Sequence, residues 1–208
     1  MQSSALKLYL LISMGNPKKL FIVAIGFSAG GRQDLYDFFS YLPKLPNAAF
    51  IILQHLSRDH QSLADVLLEP NTNLPVSWAA DQDLVEANHI YLLAPNKLMT
   101  IHNGYLQTRD RNPQDKSNWA IDVFFNSLAD NSAAMAVGVI LSGTGSDGAN
   151  GAVRIHEHGG VVLVQDPGTA LFDGMPVSAI LKDSPDEILP PRKLAYALTD
   201  YLLARQTL

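Results

Sequence analysis

Residues 20 to 31 read Leu-Phe-Ile-Val-Ala-Ile-Gly-Phe-Ser-Ala-Gly-Gly, and this stretch decides the fold. Its first six residues, Leu20 to Ile25, form an unbroken apolar, β-branched run ended by glycine, the pattern of a strand buried on both faces of a parallel sheet. The small residues that follow permit a sharp turn from strand into helix. Arg32 to Leu42 supplies that helix, with Leu35, Phe38, Phe39 and Leu42 at three-and-four spacing before Pro43 stops it. Strand, tight turn and amphipathic helix make one βα unit, and a chain that repeats the unit builds an α/β sheet.

The unit does repeat. Ala48 to Leu53 is a second buried strand and Gln61 to Leu68 a second helix. Ala134 to Leu141 is a third strand, Ala149 to His158 a helix closed by Gly159-Gly160, and Val161 to Val164 a fourth strand. Pro191 to Ala204 reads as a last helix. Between Pro75 and Thr108 the texture changes to short segments, Val76 to Trp78, His89 to Ala94, Leu98 to His102 and Tyr105 to Thr108, with Asn103-Gly104 as a two-residue hairpin signal; we read this section as antiparallel. Asp110 to Asn118 is polar and contains Pro113, an exposed loop leading to a helix over Trp119 to Ala129. No Gly/Ser-rich or Pro-rich linker divides these parts. The expectation is one α/β domain over residues 20–208, a doubly wound, mainly parallel sheet of Rossmann-like or flavodoxin-like type, with an antiparallel hairpin region at one edge. Residues 1–19 read as an N-terminal extension or a boundary remnant.

Composition narrows the chemistry. With 47% hydrophobic and 17% charged residues, the 208-residue chain belongs with globular proteins that bury a genuine core. The net charge of −5 is spread along the chain without a Lys/Arg block, which argues against nucleic acid as a partner. There are no cysteines, so disulfides, thiolate metal sites and cysteine nucleophiles are excluded. The apolar run Ala5 to Met14 is too short to cross a bilayer and has neither a basic segment before it nor a cleavage site after it, so neither secretion nor membrane insertion is expected. A cytoplasmic location is the default.

In an open parallel sheet, ligands sit beyond the carboxyl ends of the strands, where loops converge and helix N-termini point inward. The first strand ends in Gly26-Phe27-Ser28-Ala29-Gly30-Gly31, the second in Gln54-His55-Leu56, and the third in Ser142-Gly143-Thr144-Gly145-Ser146-Asp147-Gly148. A serine, a histidine and an aspartate thus close three buried strands. A serine hydroxyl is a poor nucleophile at neutral pH until an imidazole accepts its proton, and the imidazole needs a carboxylate to fix its tautomer and steady its cation. Ser28, His55 and Asp147 fit those three roles, with backbone N–H groups of Ala29 and of Gly143 to Gly145 as candidate oxyanion donors. Such a set cleaves esters and needs no cofactor.

Each residue has a plainer reading. The Ser28 turn could cradle a phosphate at a helix N-terminus, although it lacks G-x-G spacing, and a non-catalytic phosphate- or nucleotide-binding or interaction module would follow. His55 alone could be structural. Asp147 alone could cap the helix that begins near Gly148. Asp166 and Asp173 are acidic alternatives, but neither follows a long buried strand through a glycine turn. His55 with Asp59 or His60, and His156 with His158, form no ligand set recognisable for a metal. Phe172-Asp173-Gly174-Met175-Pro176 reads either as a simple turn or as a loop walling the substrate cleft, with Met175 as an adaptable apolar contact.

Taken together, Ile25 to Gly31, Gln54-His55-Leu56, Leu141 to Gly148 and Phe172 to Pro176, in that order, resemble the catalytic domain of the chemotaxis protein-glutamate methylesterases, the CheB family. The resemblance covers residues 20 to 190. It implies removal of methyl groups from glutamate methyl esters on chemoreceptor signalling helices, with glutamine deamidation at the same sites in some members. Its serine, histidine and aspartate fall on Ser28, His55 and Asp147, and its second oxyanion amide on Thr144. This order differs from ordinary α/β-hydrolases, which run serine, acid, histidine. Typical members carry a phospho-acceptor receiver domain before the catalytic part, so a receiver domain or a methyltransferase on another chain is an expected partner. The run Gln54-His55-Leu56-Ser57-Arg58-Asp59-His60 is closer to methylesterase modules fused to methyltransferases than to the His-Met-Pro form of chemotaxis members. A small-molecule carboxylesterase is the rival enzyme reading.

Overall fold

The computed structural model describes residues 20–43, 47–55, 72–115 and 117–206. In chain order the strands and helices are β1 (Phe21–Phe27), α1 (Gly31–Ser40), β2 (Ala48–Gln54), β3 (Val76–Trp78), β4 (Ile90–Leu92), β5 (Lys97–His102), β6 (Tyr105–Asp110), α2 (Ala120–Ser132), β7 (Ala136–Ile140), α3 (Ala149–Glu157), β8 (Val161–Gln165), α4 (Gly174–Lys182), β9 (Glu187–Leu189) and α5 (Pro191–Gln206). The helix expected over Gln61 to Leu68 lies outside the described residues.

Seven strands form one sheet in the order β3-β4-β2-β1-β7-β8-β9, and every pairing in it is parallel. The apolar runs read as buried strands are its centre: β1, β2, β7 and β8 are buried at every position. One face is covered by α1 and α5 through Leu35, Phe38, Leu194 and Leu198. The other is covered by α2, α3 and α4 through Ile121, Phe125, Ile155 and Ala179. Helices on both faces explain why these strands show no alternation of apolar and polar residues.

The antiparallel reading of the middle section holds for only half of it. β5 and β6 pair antiparallel across the Asn103-Gly104 turn and form their own two-stranded sheet. That sheet is tied to α2 by Ser127 Oγ, which accepts from the Ile101 N–H at 3.1 Å. β3 and β4 instead join the main sheet in parallel. A three-residue strand is too short to carry a directional signal, and the hairpin turn constrains only the two strands it connects. β9, also three residues long, carries no strand signal of its own, and α4 is the helix that follows the Phe172-Asp173 turn.

From β1 the chain builds outward to β2, β4 and β3 on one side, then crosses to β7, β8 and β9 on the other. The boundary between β1 and β7 is the topological switch point, where open α/β sheets form a crevice beyond their carboxyl ends. Gly26 lets α2 approach that crevice: a Cβ there would meet Ile121 Cγ2 at 2.6 Å. Gly148, at φ +95°, yields to the same isoleucine at 2.8 Å. Two glycines thus seat the first turn of α2 across the ends of β1 and β7.

Candidate active site

Three neighbouring strands, β2, β1 and β7, carry His55, Ser28 and Asp147 just beyond their carboxyl ends. The loops are stitched together by main-chain bonds. The Ser28 N–H donates to the Ser142 carbonyl at 3.0 Å, and the His55 N–H donates to the Phe27 carbonyl at 2.8 Å. Gly30 has φ +80°, and a Cβ there would strike Leu171, Phe172 and Ser142, so this turn requires glycine both for its backbone and for its space.

Asp147 is the best-held group of the three. It is 2% exposed, and both carboxylate oxygens are engaged. Oδ1 accepts the Asp122 N–H at 2.9 Å, while Oδ2 accepts the Ile121 N–H at 3.1 Å and lies 3.1 Å from His55 Nδ1. The N-cap residue of α2, Trp119, offers no side-chain cap, so Asp147 reaches in from another loop to satisfy the helix's free N–H groups. The capping role that Asp147 suggested in isolation is therefore filled, but on α2 and not on the helix that follows it. A carboxylate at a helix N-terminus is favoured by the helix dipole.

His55 is partly exposed and has its Nδ1 on Asp147. Among the described residues, nothing bonds its Nε2. Ser28 is half-buried, and its Oγ donates to the His55 carbonyl at 3.0 Å, not to the imidazole. The main-chain N–H groups of Ala29 and Thr144 donate to nothing among the described residues, and both residues are exposed at the rim.

Met175 does not sit as expected. It is 1% exposed, and its N–H donates to the Gly143 carbonyl at 2.8 Å. A Cβ on Gly143 would come within 2.2 Å of the Met175 sulfur and 2.9 Å of Ser28 Cβ. Because α4 begins at Gly174 and draws Met175 inward, this side chain backs the glycine floor under Ser28 instead of facing an open cleft. Exposed apolar surface lies against Gly30 of the Ser28 turn, from Leu171 and Phe172. Asp166 caps a short turn through the Gly168 N–H and Asp173 precedes α4; among the described residues the carboxylate that pairs with His55 is that of Asp147.

A buried polar framework beneath the site was not read from sequence. Ser142 is wholly buried: its Oγ accepts the Phe172 N–H at 3.0 Å and lies 3.2 Å from the Phe172 carbonyl and 3.3 Å from that of Ala29. Gln165, at the end of β8, accepts the Ser142 N–H at 2.8 Å and also bonds the Asp34 carboxylate on α1. Burial pushes the Asp34 carboxyl above its usual range, opposed by that hydrogen bond and assisted by the nearby Asp37 charge. Ser142 and Gln165 each end an apolar run, as Gln165 does after Val161-Val162-Leu163-Val164, and such a break is the available signal; Asp34, among the polar residues of α1, carries none.

Comparison with known proteins follows the same outline. Residues 23–198 match the family model described as CheB methylesterase. A protein of Trichodesmium erythraeum named protein-glutamate methylesterase/protein-glutamine glutaminase is 34% identical over 181 residues, 85% of this chain and 51% of its own length. A like-named protein of Pseudomonas aeruginosa is 33% identical, over 86% of this chain and 54% of its own length. The chain thus spans about half the length of these curated relatives. The crystal structure of the Thermotoga maritima CheB methylesterase catalytic domain superimposes with a TM-score of 0.78 at 27% identity, covering 88% of this chain and 98% of that one.

Proposed function

The chain belongs to the CheB methylesterase family, and from that premise we propose that it hydrolyses glutamate methyl esters on a protein, releasing methanol, with Ser28, His55 and Asp147 as a catalytic triad. The observation that carries the reading is the His55 Nδ1 to Asp147 Oδ2 contact of 3.1 Å beside a serine whose hydroxyl already rests on the His55 main chain. Commitment of Nδ1 to the carboxylate leaves Nε2 as the basic nitrogen.

In this mechanism the Ser28 hydroxyl leaves the His55 carbonyl, to which it donates at 3.0 Å, for Nε2. Oγ attacks the ester carbonyl carbon as its proton passes to Nε2, and the oxyanion is held by the N–H groups of Ala29 and Thr144. Collapse breaks the bond to the methoxy oxygen, which leaves as methanol with the proton from His55. Water then attacks the glutamyl-serine ester, gives its proton to His55, and Ser28 departs with that proton to leave a glutamate. Asp147 stays ionised and steadies the imidazolium.

The printed names of the relatives pair methylesterase with protein-glutamine glutaminase. That pairing supports a second activity, release of ammonia from a glutamine side chain by the same steps. Chemoreceptor-like signalling proteins are the proposed substrates, and a receiver domain or a methyltransferase on another chain the proposed regulatory partner.

The test is a Ser28→Ala variant assayed by methanol release from a methylated receptor, with fluorophosphonate labelling of the parent protein as a second readout. Turnover falls by about three orders of magnitude or more and labelling disappears with the hydroxyl, while the fold is retained. Undiminished methanol release from Ser28→Ala would refute the assignment. Hydrolysis of simple aryl esters alone would favour a small-molecule esterase.

A further inference from the structure

The N-cap residues of α2 and α3, Trp119 and Gly148, contribute no side-chain cap, and the first N–H of α2, that of Ala120, is met by Asn118 Oδ1 at 3.2 Å. N–H groups farther into each first turn are taken by a carboxylate from the other helix's neighbourhood. Asp147, two residues before α3, takes the Ile121 and Asp122 N–H groups of α2. Asp122, in the first turn of α2, takes the Gly151 N–H of α3 at 2.8 Å and the Asn150 side-chain amide at 2.9 Å. Asp122 is 6% exposed and pairs with no cation among the described residues. A buried carboxylate of this kind is costly unless the amides around it are fixed in place.

From this interlock we propose that Asp122 is a positioning residue for the reaction described above, acting through Asp147 on His55. The proposal rests on that reaction and deepens it. Asp147 Oδ2 is divided between the Ile121 N–H and His55 Nδ1, so the direction in which it presents to the imidazole follows from where the first turn of α2 lies. Asp122 ties that turn to α3, the helix that Asp147 itself precedes. The link therefore closes on itself, from Asp147 to α2, from Asp122 to α3, and back through Gly148 to Asp147. Without the Asp122 carboxylate, α2 and the Asp147 loop are free to shift by fractions of an ångström, enough to misplace an imidazole that must serve Ser28. Asp122 itself touches neither substrate nor reacting atoms.

The test uses Asp122→Ala and a double variant, Asp122→Asn with Asn150→Asp. The double variant keeps an oxygen for the Gly151 N–H and reverses donor and acceptor across the 122–150 pair. Asp122→Ala lowers kcat for methanol release on the order of tenfold with KM within about twofold, and the double variant recovers most of it. A readout that does not depend on turnover is the low-field proton resonance of the His55 Nδ1–H bonded to Asp147. It broadens or vanishes in Asp122→Ala and returns in the double variant. Unchanged kcat and an unchanged resonance in Asp122→Ala overturn the proposal, as does a double variant no better than Asp122→Ala. Should Asp122→Ala fail to fold, Asp122→Asn alone against the double variant carries the same decision: equal kcat and equal resonances in the two overturn it. If Ser28→Ala retains turnover, the reaction reading fails, and the resonance still decides whether Asp122 positions His55.

Discussion

His55 and His156 meet carboxylates at opposite ends of the strands of one sheet, and they are built differently. His55, beyond the carboxyl end of β2, has Nδ1 at 3.1 Å from Asp147, with nothing bonded to Nε2 among the described residues. His156, in the last turn of α3 near the start of β8, has Asp183 Oδ2 at 2.7 Å from Nδ1 and Asp186 Oδ2 at 2.7 Å from Nε2. An imidazole can donate to two carboxylates only as the cation, so His156 is a clasp that works charged. An imidazole with one nitrogen committed and the other available can accept a proton and return it. Two acids on one ring make His156 a fastener, whereas one acid on His55 fits the base proposed there.

Exchanging the two histidines' side chains for glutamine breaks this comparison most directly. His55→Gln loses about three orders of magnitude or more in methanol release with little change in melting temperature, since a partly exposed imidazole is removed. His156→Gln retains turnover within about twofold and melts earlier. Equal activities for the two variants would erase the distinction; steady-state assays beside thermal denaturation decide it.

The carboxylates provide the next contrast. Asp147→Ala removes both the partner of His55 and the cap of α2, leaving the Ile121 and Asp122 N–H groups buried without acceptors. Unsatisfied buried groups cost ~1–3 kcal/mol each, so denaturant titration is expected to show a large stability loss together with the loss of turnover. Asp147→Asn keeps one acceptor oxygen, loses less stability, and is nearly as inactive because the imidazole is no longer steadied as a cation. A smaller effect is expected at the floor of the site. Gly143→Ala puts a methyl against the Met175 sulfur and the Ser28 main chain. The sulfur can swing away, but the backbone cannot, so the variant costs ~1–3 kcal/mol of stability and lowers kcat.

What the amino-acid sequence disclosed and what it withheld follow from how far each signal reaches along the chain. Long apolar runs such as Ala48-Ala49-Phe50-Ile51-Ile52-Leu53 declare a buried parallel strand locally, and the glycine turns after them mark the functional rim, so Ser28, His55 and Asp147 were legible as strand-end residues. Strand order was not local, yet the three strands named proved to be neighbours. The direction of β3 and β4 was withheld because three residues cannot encode it. Met175 reads as a cleft contact because the pull of α4 is tertiary: Pro176 suits the first turn of a helix, but only the packing of that helix turns the methionine inward. Asp122 was invisible for a similar reason. It lies within Ala120-Ile121-Asp122-Val123, where an acid in a first helical turn passes for an ordinary dipole partner, and only the position of α3 gives it another role.

The smallest effect, and the one that sharpens the comparison, is the pH dependence of stability at the His156 clasp. Burial alone would lower the affinity of this imidazole for its proton, but hydrogen bonds to Asp183 and Asp186 and their charges outweigh it and hold the group above its ordinary value of 6.5. Since the folded protein binds this proton more tightly than the unfolded chain does, the clasp contributes fully below pH 6.5 and fades as pH rises through the higher folded value. Among the described residues the buried Asp183 Oδ2 meets no polar group besides the His156 ring, whereas Asp186 Oδ2 also accepts the Val162 N–H at 2.8 Å. Loss of the proton therefore strands Asp183 more than Asp186. Urea midpoints of the parent protein and His156→Gln should differ at pH 6 and converge toward pH 9. A gap that stays constant or widens over that interval would mean that His156 packs as a neutral ring, and the contrast with His55 would then rest on geometry alone.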